Sequence, residues 1–127
     1  MRKKVYLAGT TKPFDESDWR LEAASIMDRN FNLQPLDPLD WECWEPTDAE
    51  IVGRDTYLVY NSDALLVDGR TPSWGAAMEV EIAHSLGIPV VVWGISRSTC
   101  SPWLAYHAIH VEVGMIEAIE YLAELLV

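Results

Sequence analysis

The chain has 127 residues, a length that fits one domain spanning 1–127 and able to bury about two-thirds of its unfolded surface. Half of its residues are hydrophobic, which argues against intrinsic disorder. The formal net charge of −11 argues against a surface built for nucleic acid polymers, whose modules carry basic patches, but not against a single nucleotide in a pocket.

In chain order, Lys3 to Ala8 reads as a buried strand ending at Gly9, followed by a loop, Thr10-Thr11-Lys12-Pro13. Ser17 or Asp18 caps a helix running to about Arg29, with Leu21, Ala24, Ile26 and Met27 fitting one face only approximately. Asn32 to Leu36 is a short second strand. A long loop, Asp37 to Pro46, carries Trp41, Cys43 and Trp44. Thr47 or Asp48 then caps a helix through Tyr60, with Ile51, Leu58 and Val59 toward the core. A third strand follows from Asp63, then a helix from about Ser73 to Leu86 stopped by Gly87, then a strand from Ile88 to Trp93. Ser101 and Pro102 open a short helical turn. Ala108 to Val111 is a weak fifth strand, and Gly114 to Leu126 a final helix with Ile116, Ile119, Leu122, Ala123 and Leu126 on one side. Short apolar strands alternating with helices imply a parallel sheet covered on both faces. The expected fold is α/β, a flavodoxin-like three-layer α/β/α sandwich with a five-stranded parallel sheet.

Cys43 and Cys100 are too few for a disulfide framework and match no zinc spacing, so a reduced, cytoplasmic chain is expected. No secretory signal is evident, since the apolar run after Arg2-Lys3-Lys4 stops at Gly9. The longest apolar run, Leu86 to Ile95, is far short of a membrane span.

Ser73-Trp74-Gly75-Ala76-Ala77-Met78-Glu79 lies between two buried strands. This small-residue turn brings Glu79 to the start of a helix, at the carboxyl end of a strand, where open α/β sheets place ligands. The helix dipole favours a negative charge there, and Gly75, Ala76 and Ala77 allow close approach. Such a carboxylate serves as base, nucleophile or ligand clamp, or only as a dipole-complementing helix residue. Glu81, two residues on, points elsewhere and reads as a solvated partner. Asp55, in the polar run Gly53-Arg54-Asp55-Thr56, supplies a candidate second carboxylate; Asp63 reads more simply as a turn residue. Two carboxylates about one sugar centre suit glycosidic chemistry, one attacking the anomeric carbon and the other moving a proton. Tyr6, polar within an apolar strand, needs a partner for its hydroxyl and could orient a carboxylate. His84, His107 and His110 lack metal spacing with any cysteine or carboxylate cluster, so no metal is expected. The lone Gly9 makes no phosphate fingerprint. Trp41, Trp44, Trp74 and Trp103 fall in or beside loops, where they stack on a planar base or build an oligomer interface.

In their order and spacing these pieces resemble the nucleoside 2-deoxyribosyltransferase family over nearly the whole chain. They are Val5-Tyr6-Leu7-Ala8-Gly9, Asp55 with Asn61-Ser62-Asp63-Ala64, Ser73 through Glu79, Gly87-Ile88-Pro89-Val90, and Ser101-Pro102-Trp103 with His107-Ala108. The resemblance implies cleavage of the N-glycosidic bond of 2′-deoxynucleosides. Glu79 would form a covalent deoxyribosyl intermediate, Tyr6 would hold its carboxylate, and Asp55 would bind the base and protonate it. Gly9, Thr10, Ser73, Gly75, Met78 and Ser101 would contact substrate. It implies a deoxynucleoside or deoxynucleotide and a free nucleobase as partners, no metal or organic cofactor, no membrane, and a homo-oligomer whose neighbouring subunit helps close the site through the loop around Ser101. One position departs from part of the family: six residues before the nucleophile some transferases place an aspartate, and this chain has Ser73. In the related 2′-deoxynucleoside 5′-phosphate N-hydrolases a serine there helps bind phosphate. That group has a glycine-rich first loop, whereas this chain has Gly9-Thr10-Thr11-Lys12-Pro13-Phe14. The hydrolase is therefore kept as an alternative, and so is a non-catalytic nucleotide-ligand sensor on the same scaffold.

Overall fold

A computed structural model describes residues 1–11, 19–41 and 45–127. The expected cap at Ser17 or Asp18, the loop residues Lys12 and Pro13, and Cys43 and Trp44 lie outside the described residues. Among the described residues five strands alternate with five helices. In chain order they are β1 (Lys3–Ala8), α1 (Trp19–Asn30), β2 (Leu33–Leu36), α2 (Asp48–Tyr60), β3 (Ala64–Asp68), α3 (Trp74–Ser85), β4 (Val90–Trp93), α4 (Pro102–His107), β5 (His110–Glu112) and α5 (Met115–Leu125). The strands form one parallel sheet in the order β2-β1-β3-β4-β5. The expected flavodoxin-like α/β fold is the observed one. The winding reverses between β1 and β3, which makes their carboxyl ends the switch point where such sheets bind ligands.

The centre of the sheet is buried on both faces because the last four residues of β1, and β3 and β4, are nearly continuous apolar runs; every residue of β3 and β4 is buried. Side chains alternate across it. Val5, Leu7, Leu66 and Val91 meet Trp19, Ala23 and Met27 of α1 and Ala118, Ile119 and Leu122 of α5. Tyr6, Leu65 and Val90 lie in register on the other face, against Val59 of α2 and Ala76, Val80 and Ala83 of α3. Tyr6 is thus aimed at the α3 layer by strand alternation alone. β2 is an edge strand, which tolerates Pro35.

Thr47, not Asp48, caps α2, in a reciprocal capping box with Glu50. β4 begins at Val90 rather than Ile88, because the Ile88 N–H donates back to Ala83 and closes the helix end. β5 is displaced toward His110–Glu112, because the Ala108 N–H donates to Leu104 and belongs to the end of α4. Two core positions differ from expectation. Leu21 is exposed, and the buried face of α1 is instead Trp19, Arg20, Ala23 and Met27. Ile116 is exposed, because the inward stripe of α5 follows Met115, Ala118, Ile119, Leu122 and Leu126. Among the described residues no helix is long and apolar enough to cross a membrane.

Candidate active site

The first buried turns of α3 face β1. Ser73 caps the helix, its Oγ accepting from the Ala76 N–H at 3.2 Å. This fixes the rotation of α3 so that Ala76, Glu79, Val80 and Ala83 turn inward. Glu79 is 9% exposed and Tyr6 1% exposed. The Tyr6 hydroxyl donates a short hydrogen bond to Glu79 Oε2. Residues 73 positions apart in sequence thus meet at the carboxyl-end half of β1.

Burial is the main force on both groups. It pushes the Glu79 carboxyl up to about 7; the negative charge of Asp55 pushes the same way, while the Tyr6 hydroxyl, Arg20 and Arg54 oppose it. Burial, then the Glu79 charge, drives the Tyr6 phenol far above its ordinary range, so Tyr6 remains a donor. Asp55 influences both groups through its charge, which puts it in the same electrostatic cluster. Its carboxylate is engaged by its own neighbour: Arg54 Nη2 lies 2.6 Å from Asp55 Oδ1, and the guanidinium sits 4.3 Å from the centroid of the Trp41 ring.

Two features of the site escaped the sequence reading. Arg20 is a buried guanidinium on α1 that donates to the carbonyl oxygens of Leu7 (3.2 Å), Gly9 (2.9 Å) and Thr10 (3.1 Å). It clamps the end of β1 and sets the loop that follows. Its signal is positional: it occupies the stripe of Ala23 and Met27, where helical periodicity calls for an apolar residue. Asp68, the buried last residue of β3, is paired with Arg70 at 2.9 Å, and Arg70 lies over Trp93. Its signal is a carboxylate ending an apolar run at the switch point.

The remaining expected substrate contacts fall at the end of β1, at the start of α3 and at the cap of α4. Gly9 sits where an added Cβ would meet Asp68 Cβ and Trp19 Cζ2, both at 3.1 Å, so any larger residue would make these neighbours give by a few tenths of an ångström. Thr10 is buried, and its carbonyl is held by Arg20. Gly75 faces open space, which leaves the helix start approachable. Met78 is exposed on the same helix face as Trp74, which is 83% exposed. Ser101 caps α4, accepting from the Trp103 N–H at 3.2 Å. Asp63 anchors the opposite end of the sheet, its Oδ2 accepting from the Lys4 N–H at 2.8 Å. Tyr6, Glu79 and Asp55 are therefore brought together, whereas among the described residues no hydrogen bond joins Met78 or Ser101 to them. The histidines hold one surprise for the spacing argument, since Glu81, His84 and His107 converge on the surface between α3 and α4.

A doubly wound parallel sheet with a buried acid at its switch point defines a broad class of ligand-binding α/β proteins. Neither protein-family models nor curated proteins match the sequence. Solved structures do. A 2-deoxyribosyltransferase from Bacillus psychrosaccharolyticus superposes with a TM-score of 0.76 at 14% identity, covering 93% of this chain and 91% of its own. A 2-deoxyribosyltransferase from Leishmania mexicana gives 0.74 at 17% identity, covering 96% of this chain and 97% of its own. A conserved protein from Enterococcus faecalis gives 0.70 at 20% identity, covering 95% and 99%. The chain has a nucleoside 2-deoxyribosyltransferase-like fold.

Proposed function

We propose that this protein cleaves the N-glycosidic bond of 2′-deoxynucleosides and transfers the deoxyribose to an acceptor base. The observation that carries this reading is the buried Glu79–Tyr6 pair at the switch point. A Glu79 oxygen attacks C1′ as the bond from C1′ to the base nitrogen breaks. The bonding pair leaves on that nitrogen, which takes a proton from Asp55 in its acid form, taken up once the substrate has parted it from Arg54. A second base then attacks C1′ through its nitrogen, Glu79 leaves as carboxylate, and Asp55 takes up the proton. Because Asp55 is paired with Arg54, the entering base must first displace that guanidinium. Tyr6 holds one oxygen of Glu79, which leaves the other free to attack.

Product chromatography with a deoxynucleoside and a different free base tests this directly. A new deoxynucleoside is expected; saturable binding with no bond cleavage would instead identify a sensor. Attack requires ionised Glu79, so kcat/KM is expected to fall as pH drops through about 7. Tyr6→Phe is expected to lower kcat about 10- to 100-fold, the range for hydrogen bonds to charged groups. It also removes an influence that lowers the Glu79 pKa, so the acidic limb of the pH profile should move upward. An unmoved limb would mean that Tyr6 only packs.

A second reading, a 2′-deoxynucleoside 5′-phosphate N-hydrolase, is favoured by the Ser73 cap. Its hydroxyl stands at the N-terminus of α3, where backbone N–H groups favour an anion. In that case deoxynucleotides yield free base and deoxyribose 5-phosphate whether or not an acceptor is added. Self-association belongs to the same proposal: Trp74 at the start of α3 and Trp103, 79% exposed and next to the Ser101 cap of α4, offer apolar surface. Sedimentation should show an oligomer, with Trp103→Ala shifting it toward monomer.

A further inference from the structure

We propose that Glu81, His84 and His107 form a binding site for one divalent transition ion of the zinc type, distinct from the Glu79 cluster. Among the described residues their three ligand atoms all lie within 4.8 Å of one another. Glu81 and His84 are one turn apart on the outward side of α3, and His107 comes from the last turn of α4. Zinc bonds of about 2.0–2.2 Å bring ligand atoms closer than this. Glu81 and His84 are exposed, so rotation of their side chains supplies the closure.

The hydrogen bonding of His107 is the second observation. Its Nδ1 lies 2.7 Å from the Trp103 carbonyl oxygen, and its Nε2 lies 2.5 Å from Glu81 Oε2. Both ring nitrogens face acceptors. In the metal-free protein a proton bridges Nε2 and the carboxylate; a divalent ion takes the place of that proton, with the exposed Glu81 side chain drawing back to leave about 3 Å between the two ligand atoms. A backbone carbonyl on the far nitrogen is also the usual support for a metal-ligating imidazole, since it fixes the tautomer and the ring plane. The His84 ring packs edge-on against His107 at 4.6 Å between centroids, with Tyr106 beside both. Two imidazoles and one carboxylate are a donor set for zinc with one position left to water. Magnesium and calcium prefer all-oxygen shells.

The test titrates the metal-free chain of residues 1–127 with Zn²⁺ by calorimetry, and with Co²⁺ to read the visible ligand-field spectrum. One ion per chain is expected, with a tetrahedral Co²⁺ spectrum and no displacement by excess Mg²⁺. His84→Ala and His107→Ala should each weaken Zn²⁺ at least about tenfold, the scale that even outer-sphere losses reach. Glu81→Gln should weaken it as well, and His110→Ala should leave it unchanged. Circular dichroism of each variant checks the fold, and the exposed His84→Ala keeps the test decisive if His107→Ala unfolds. Binding that survives both histidine substitutions would assign the ion to the acidic surface and overturn the proposal. The absence of saturable binding would overturn it too.

Discussion

Glu79→Gln is expected to abolish turnover of deoxynucleosides, by on the order of 10⁴-fold or more, and at the same time to make the protein more stable at alkaline pH. The first effect follows from the proposed covalent step, because an amide is no nucleophile at C1′. The second follows from burial. The Glu79 carboxyl is pushed from its ordinary 4.5 up to about 7. Between these values the unfolded chain has released the proton and the folded chain still holds it, so the folded state loses stability as pH rises through this window. Above about pH 7 the loss is complete, at about 3 kcal/mol for a shift of this size. A neutral glutamine removes that term and keeps an oxygen to accept from Tyr6. Urea unfolding should show the variant more stable than the parent at pH 8 by up to about 3 kcal/mol, with the difference shrinking toward pH 4.5. Equal stability at both pH values would mean that the carboxylate is ionised without cost, and full turnover would remove Glu79 from the nucleophile's position.

The same physics explains what the sequence revealed of this site. Glu79 was legible because a run of small residues between two apolar strands marks a strand–turn–helix, and that geometry fixes where the first inward carboxylate goes. Tyr6 was legible because a hydroxyl inside an apolar run must find a partner. The pairing of the two then follows from strand alternation and the Ser73 cap. Arg20 was not legible, since a charged residue on an amphipathic helix reads as solvated until the carbonyls it serves are placed around it. Leu21 and Ile116 read as inward for the complementary reason: hydrophobic identity says nothing of a helical phase that only the packed neighbours define. The Glu81, His84 and His107 cluster could not be found by spacing at all. Its members are brought together by the packing of α4 on α3, and the short loop geometry that sets this packing has no period to read.

Arg20→Met should be among the most destabilising single substitutions in the chain. Methionine fills a comparable volume on α1 but carries no donor. The carbonyls of Leu7, Gly9 and Thr10 then lose a guanidinium that bonds all three. Each unsatisfied buried acceptor costs about 1–3 kcal/mol, and partial relaxation of the loop limits the sum to about 3–5 kcal/mol. In a domain of this size that lowers Tm by about 10–20 °C. Asp37, whose Oδ1 lies 3.9 Å from the Arg20 Nε, loses its partner as well. Arg20→Lys is the informative companion: it retains a charge but not the planar fork that reaches three oxygens at once, so it should recover only part of the loss. Arg20 also draws the Glu79 pKa down through its charge. In whatever fraction of Arg20→Met remains folded, the acidic limb of the pH profile should therefore move upward, and in Arg20→Lys it should stay nearer its original position. A stability change below about 1 kcal/mol would show that water replaces the guanidinium at these carbonyls. The end of β1 would then be held by strand pairing alone.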